Sequence, residues 1–148
     1  MATWPYYAFA VAAGAMLPVQ FGINAQLASW LGSPLRATFV SFAVGAAVLL
    51  AAVLVFARGV GEGRDLGAAP WWVWVGGVLG AFYVLGSVVT APRLGAAALF
   101  AFILAGQSLA SLAVDHFGWV GFAENPVTPG RLLGVVLVVA GVVVVRGL

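Results

Sequence analysis

Long runs of apolar residues, separated by short polar segments, dominate this sequence. A helix needs about 20 residues to cross the roughly 30 Å hydrocarbon core of a bilayer, and five runs reach that length. The runs are continuous and do not alternate between apolar and polar positions, so they lack the pattern of membrane-spanning β-strands. The sequence therefore predicts an all-α integral membrane protein with a single transmembrane domain over residues 1–148. The predicted helices cover residues 5–31, 36–57, 71–91, 94–115 and 131–147.

Composition excludes several classes of function. Hydrophobic residues make up 64% of the chain and charged residues 7%, which leaves too little polar surface to cover a soluble domain. The chain has no cysteine, one histidine and four carboxylates, so thiolate chemistry is excluded and little remains for a metal site. We therefore expect no metal, no cofactor and no enzymatic activity. The net charge of +2 comes from arginines in the predicted loops, so we expect no nucleic-acid partner.

The first apolar run carries polar residues where a simple membrane anchor would carry leucine or valine. Pro18 has no N–H, so the carbonyl of Gly14 loses its helical partner and a kink is expected there. Gln20 and Asn24 are four residues apart and therefore point to one side of the helix. Two interpretations stay open. The amides either hold helices together, each contributing about 0.6–2 kcal/mol, or they line a cavity for a solute.

Later spans add further candidates for the same cavity. Tyr83 lies at mid-depth in the third predicted helix and Gln107 near the centre of the fourth. Asp115 and His116 end the fourth helix, where they are either a solvated helix end or a pair that carries protons or controls gating. The predicted substrate-binding residues are Gln20, Asn24, Gln107, Tyr83, Pro18 and Gly14.

Small residues indicate where helices approach one another. Ala37, Ser41 and Gly45 recur at four-residue spacing in the second predicted helix, which allows close backbone contact. The last predicted helix has no polar residue between its terminal arginines. Its Gly134 and Gly141 are seven residues apart and share one face. We therefore predict that these two glycines pack a dimer.

The arginines are distributed equally between the two sides of the membrane. With five spans, one side carries Arg58, Arg64 and Arg131, and the other carries Arg36, Arg93 and Arg146. Orientation is normally set by an excess of Lys and Arg in the cytoplasmic loops. A balanced chain lacks that signal, so the sequence predicts insertion in both orientations. The alternative is that misplaced span ends or a single dominant arginine fix one orientation.

Several segments of the chain match a known pattern: PVQFGINAQL, Ser41-Phe42 with Gly45, PWWVWVGGVLGAFYV, APRLGAA, GQSLASLAVDHFGWVGF and RLLGVVLVVAGVVVV. Together they resemble the YdcZ-like five-helix family of the drug/metabolite transporter superfamily. That superfamily also contains EamA-type and small multidrug resistance transporters. The resemblance covers nearly the whole chain. It implies a secondary transporter of the bacterial inner membrane whose five helices match one half of a ten-helix relative. The other half would be an antiparallel copy of the chain or an oppositely oriented sister chain.

One feature of the superfamily cannot be transferred to this sequence. The small multidrug resistance exporters bind substrate and protons at a glutamate in their first helix, but no carboxylate occurs between Tyr6 and Leu31. Neutral amides suit a polar or anionic solute better than a cationic drug. The expected function is therefore transport of a small solute by alternating access, at a mid-membrane site shared by an antiparallel dimer. The alternative is a non-transporting assembly or regulatory subunit.

Overall fold

The described part of the chain is helical. A computed structural model describes residues 3–56, 67 and 69–147, and these residues include no strand. The α-helices are α1 (Trp4–Leu31), α2 (Pro34–Phe56), α3 (Gly76–Phe117) and α4 (Pro129–Arg146). Two short 3-10 helices cover Trp71–Trp74 and Trp119–Gly121. Among the described residues, four helical segments are long and apolar enough to cross a membrane, which confirms the all-α integral membrane class.

The turn between α1 and α2 follows from its sequence, Gly32-Ser33-Pro34. Gly32 adopts a positive φ of 64°, which glycine tolerates because it has no Cβ. The hydroxyl of Ser33 accepts a hydrogen bond from the N–H of Arg36 at 3.3 Å, and Pro34 is the first residue of α2. A capping serine followed by proline is the expected start of a helix. Pro18 lies inside α1, so its missing N–H does not end that helix.

The third and fourth predicted helices fall within one helical stretch that is interrupted at a single residue. We predicted a break at Pro92-Arg93, but the helix continues through Pro92, and the non-helical residue is Gly95, with φ 74° and ψ 164°. That combination of angles is essentially restricted to glycine. A straight helix of 42 residues would be about 63 Å long, twice the thickness of the hydrocarbon core. The break divides α3 into two segments of about 28 and 33 Å.

The Trp71–Trp74 segment differs from the prediction in its geometry. It was expected to be the first turn of an α-helix, but it forms a 3-10 helix that begins after Pro70. The α-helix itself begins at Gly76. Short 3-10 turns are common at helix N-termini. The preceding linker was expected at residues 58–70, and its residues 58–66 and 68 lie outside the described residues, together with Arg58 and Arg64.

The chain divides into two compact units. Unit 1 comprises Met1–Pro18 with Arg93–Leu148, and unit 2 comprises Val19–Pro92. In unit 2, the buried side chains of Ala37, Val84 and Val88 form the core. They are packed against Leu27, Ala28, Leu31 and Tyr83. In unit 1, the buried hydrophobic residues of the described chain are Leu99 and Val142.

Most large hydrophobic side chains of the described residues are exposed. Among the described residues, the buried hydrophobic ones are Phe21, Ala37, Val84, Val88, Leu99 and Val142. By contrast, none of residues 39–56 of α2 is buried. Lipid tails are as apolar as leucine, so such surfaces are stable in a bilayer or against another helix. The apolar surface of this chain is therefore available to lipid and to a partner.

Candidate functional site

Two buried polar groups in unit 2 have no hydrogen-bond partner among the residues that the structure describes. The side chain of Asn24 in α1 is 3% exposed, and its amide nitrogen bonds to none of the described residues. The same holds for the hydroxyl of Tyr83 in α3. Phe21 lies one helical turn before Asn24, and its ring packs edge-on against Tyr83, with ring centroids 6.3 Å apart. Phe21 therefore contacts the ring of Tyr83, which carries one of the two donors.

Other hydroxyl groups of unit 2 donate hydrogen bonds to backbone carbonyls of their own helices. Thr38 donates to the carbonyl of Pro34 at 2.9 Å, and Ser87 donates to the carbonyl of Val84 at 2.7 Å. Thr90 likewise donates to the carbonyl of Gly86 at 2.6 Å. A buried donor without a partner costs about 1–3 kcal/mol. Asn24 and Tyr83 thus carry the buried donors of this unit that have no partner among the described residues.

Gln20 lies in a groove of unit 2. The groove has a volume of about 290 Å³ and is lined by Gln20, Ser41, Phe42, Gly45, Ala46, Leu49 and Val84. Val84 also belongs to the core against which Tyr83 packs. The groove therefore shares Val84 with the core against which Tyr83 packs. Its lining is apolar apart from Gln20 and Ser41, a composition typical of small-molecule sites.

The small-residue face of α2 is only partly used for packing within the chain. Ala37 is fully buried in the core, as predicted for a packing position. Ser41 and Gly45 instead line the groove, and a Cβ added at Gly45 would meet nothing within 4 Å. On α3, a Cβ at Gly80 would lie 3.5 Å from the ring of Phe42. A Cβ at this position would therefore make an ordinary van der Waals contact with the ring.

The remaining predicted binding residues belong to unit 1. Gln107 is exposed on α3, and Gly14 and Pro18 are half-buried in α1. The structure thus places Asn24 and Tyr83 in the same unit, and Gln20 in a groove of that unit. It also identifies Phe21, which sequence reasoning missed. An aromatic residue one turn from a polar residue in an apolar helix was the available signal.

Asp115 and His116 contact the loop between α3 and α4. The carboxylate of Asp115 forms an ion pair with the guanidinium of Arg131 at the start of α4. Arg131 also donates to the backbone carbonyl of Asn125 at 2.6 Å. The ring nitrogen Nδ1 of His116 accepts a hydrogen bond from the N–H of Val127 at 3.2 Å. Sequence reasoning missed the ion pair, although opposite charges at the end of one helix and the start of the next were its signal.

The described residues contain no group of three or more His, Asp or Glu side chains that could hold a metal ion. Gly134 is exposed and Gly141 is half-buried in α4. A Cβ at either glycine would meet nothing within 4 Å. Gly141 lines an apolar groove of unit 1 with a volume of about 430 Å³, together with Ala97, Phe100, Ala101, Leu104, Val138, Val142 and Val145. Both glycines therefore leave room for a further helix.

Comparison with known proteins decides the family. Residues 5–144 match the family described as "Putative inner membrane exporter, YdcZ". The chain belongs to the YdcZ family. It is 31% identical over 135 residues to the inner membrane protein YdcZ of Escherichia coli K12, a match that covers 90% of this chain and 89% of the relative. No solved structure matches the chain.

Membership of the YdcZ family confirms the resemblance found in the sequence. Together with the apolar helices, it makes the chain a multi-pass protein of the inner membrane. The family is described as one of exporters and not of enzymes, which supports a role in transport of a solute.

Proposed function

We propose that the protein is a secondary transporter that moves a small solute by alternating access, as an antiparallel dimer of chains inserted in both orientations. The observation that carries the proposal is Asn24, a buried amide with an unpaired nitrogen in a membrane-spanning helix. Polar groups at membrane depth are costly and mark substrate pathways. If the amide nitrogen of Asn24 binds the solute, transport explains why this polar group is buried without a partner among the described residues.

We propose that the chain crosses the membrane five times, and the break in α3 supports this number. The segments on either side of Gly95 are each about as long as the hydrocarbon core is thick. A single crossing by the whole of α3 would leave about half of an apolar helix outside the membrane. Two crossings bury both segments in lipid, and together with α1, α2 and α4 they give five spans, one half of a ten-helix transporter.

The dimer is supported by unused small-residue surface and by charge. Gly134 and Gly141 have open space beside them, and small residues promote helix association in membranes. With five spans, three arginines lie on each side, so neither orientation is favoured. A second copy in the opposite orientation, or an oppositely oriented sister chain, would supply the other half of the transporter and a second set of site residues. The proposed binding residues are Gln20, Asn24 and Tyr83 in unit 2, and Gln107, Gly14 and Pro18 in unit 1.

The solute is inferred from the groups that have hydrogen bonds to offer. The amide nitrogen of Asn24 and the hydroxyl of Tyr83 are donors, and the described residues of unit 2 include no carboxylate. A cationic solute would therefore find no counter-charge among them. We propose that the solute is a neutral or anionic molecule with oxygen acceptors.

Substitution of Asn24 tests the proposal. Purified protein would be reconstituted into lipid vesicles, and uptake of radiolabelled organic anions, neutral polar solutes and lipophilic cations would be measured. We expect uptake of a solute from the first two classes, and a reduction of at least about tenfold in Asn24→Ala, which removes a hydrogen bond worth about 1.5 kcal/mol or more to a charged acceptor.

Gln26→Ala is the matched control, because Gln26 is an amide residue of α1 with an exposed side chain. Its uptake should equal that of the native protein. Normal uptake by Asn24→Ala would remove Asn24 from the site. Absence of uptake for every solute, with stable binding to another membrane protein, would favour the assembly or regulatory subunit instead.

A further inference from the structure

His116 holds the backbone of the 118–128 loop through a nitrogen that can also bind a proton. Its Nδ1 accepts a hydrogen bond from the N–H of Val127 at 3.2 Å. A ring nitrogen accepts only when it carries no proton, and both ring nitrogens of the imidazolium form are donors. The hydrogen bond to Val127 therefore exists only while Nδ1 is unprotonated. When Nδ1 binds a proton, its own N–H faces the N–H of Val127, and the hydrogen bond between them is lost.

The other contacts of this loop do not depend on a titrating imidazole. The N–H of Asn125 donates to the backbone carbonyl of Asp115 at 2.7 Å. The guanidinium of Arg131 binds both the carbonyl of Asn125 and the carboxylate of Asp115. The hydroxyl of Thr128 caps α4 by accepting from the N–H of Arg131 at 3.3 Å. These contacts fix the loop on both sides of Val127.

The charged groups around His116 reinforce the effect of a proton. Asp115 is its neighbour in α3, and Arg131 depends on that carboxylate for its ion pair. Both side chains are 29% exposed. An imidazolium would add a positive charge near this ion pair. Glu124 is the remaining charged residue of the loop, and its Cγ lies 2.7 Å from the position a Cβ on Gly118 would occupy.

Aromatic contacts fix the position of the imidazole ring. His116 packs edge-on against Phe117, with ring centroids 4.6 Å apart. Phe117 is itself stacked on Trp119, at 5.0 Å and an interplanar angle of 19°. Gly118 makes this arrangement possible by turning the chain with a φ of 60°. The acceptor nitrogen is therefore held in place by its neighbours.

We infer that His116 is a proton-binding site that controls the loop segment between Asn125 and α4. With a neutral imidazole the segment is held to the end of α3, and with an imidazolium it is released. Because the released form carries the additional proton, a fall in pH favours it. The inference does not rest on the proposed transport function.

Amide hydrogen–deuterium exchange in lipid nanodiscs tests the inference at individual residues. Exchange would be measured at pH 8 and pH 5 on the full chain, with overlapping peptides that separate Val127 from Asn125. The exchange rate of each amide in the native protein would be divided by the rate of the same amide in H116N at the same pH. H116N is the reference because the asparagine side chain offers a hydrogen-bond acceptor that does not titrate. We expect a ratio near one at pH 8 and about 2- to 10-fold faster exchange of Val127 in the native protein at pH 5.

Two internal comparisons make the result decisive. The amide of Asn125 donates to a backbone carbonyl, so its exchange ratio should stay near one at both values of pH. H116F has no acceptor at this position, so the amide of Val127 should exchange fast at both pH 8 and pH 5. Equal exchange of Val127 in the native protein and H116N at pH 5 would overturn the inference. Protected Val127 in H116F, or loss of protection at Asn125 together with Val127, would also overturn it.

Discussion

At the scale of single residues, the buried unpaired donors of unit 2 are expected to lower the stability of the protein and to serve solute binding. The hydroxyl of Tyr83 is buried without a partner among the described residues, and such a group lowers the stability of the folded protein. The same group is proposed to bind the solute. A residue of this kind should be replaceable with a gain in stability and a loss in transport.

Tyr83→Phe tests this trade-off. We expect the free energy of unfolding to rise by about 1 kcal/mol, since the variant removes an unsatisfied hydroxyl and keeps the ring that packs on Phe21. Solute uptake should fall. Thr38→Val is the contrasting control, because its hydroxyl is already bonded and its loss should bring no such gain. Unfolding in a detergent titration and uptake in vesicles would be measured on the same preparations, and reduced stability of Tyr83→Phe would contradict the assignment.

The polar residues themselves were predictable from the sequence, but their environments were not. Asn24 and Tyr83 stood out because polar groups are rare in apolar spans, and the structure buries Asn24 and the hydroxyl of Tyr83. The exposure of Gln107 could not be read from its position near a helix centre. The contact of His116 with Val127 depends on the path of a loop, which has no periodicity to reveal it.

At the scale of helices, Gly95 determines how α3 is divided. Its φ of 74° with ψ of 164° lies in a region that costs other residues about 1–3 kcal/mol. Proline was the expected break because it lacks an N–H, yet the helix continues through Pro92. A helix can lose one hydrogen bond at proline and continue, whereas the backbone angles at Gly95 are incompatible with a helix.

Gly95→Ala should therefore be destabilising. We expect a loss of about 1–3 kcal/mol in the free energy of unfolding, from the strain of a Cβ at that conformation. Gly106→Ala is the matched control within α3, because its Cβ would meet nothing within 4 Å and no positive φ is recorded there. Alanine is the better helix former by about 1 kcal/mol, so the control should be at least as stable as the native protein. Equal stability of Gly95→Ala and Gly106→Ala would show that Gly95 is not a required break.

The helix boundaries were predictable to within a few residues where capping signals are strong. Ser33-Pro34 and Thr128-Pro129 mark the starts of α2 and α4, because the hydroxyl caps the first turn and proline needs no partner there. The Trp71–Trp74 segment was assigned to the wrong helix type, because tryptophans at an interface do not distinguish α from 3-10 geometry.

At the scale of the whole molecule, the five proposed spans place equal numbers of arginines on the two sides of the membrane. The equal count on the two sides predicts a mixed population of orientations. This arrangement would give the exposed surfaces around Gly134 and Gly141 an antiparallel partner. Asn24 belongs to unit 2 of the chain and Gln107 to unit 1.

Labelling of an added cysteine measures the orientation directly. The chain has no cysteine, so a single one placed after Leu148 can be treated with a membrane-impermeant thiol reagent in intact cells and after lysis. We expect about half of the molecules to be labelled from outside, because the arginine count favours neither orientation. Addition of one arginine beside the new cysteine should shift the population toward a cytoplasmic C-terminus. Labelling from one side only in the parent chain would contradict dual topology.

The contact between His116 and Val127 acquires a different meaning in an antiparallel pair. The two copies of the loop would then lie in different compartments, one facing the cytoplasm and the other facing the exterior. A proton bound at one copy and not at the other would make the assembly asymmetric whenever the two compartments differ in acidity. Such a pair would respond to the proton gradient across the membrane, and not to the acidity of either compartment alone.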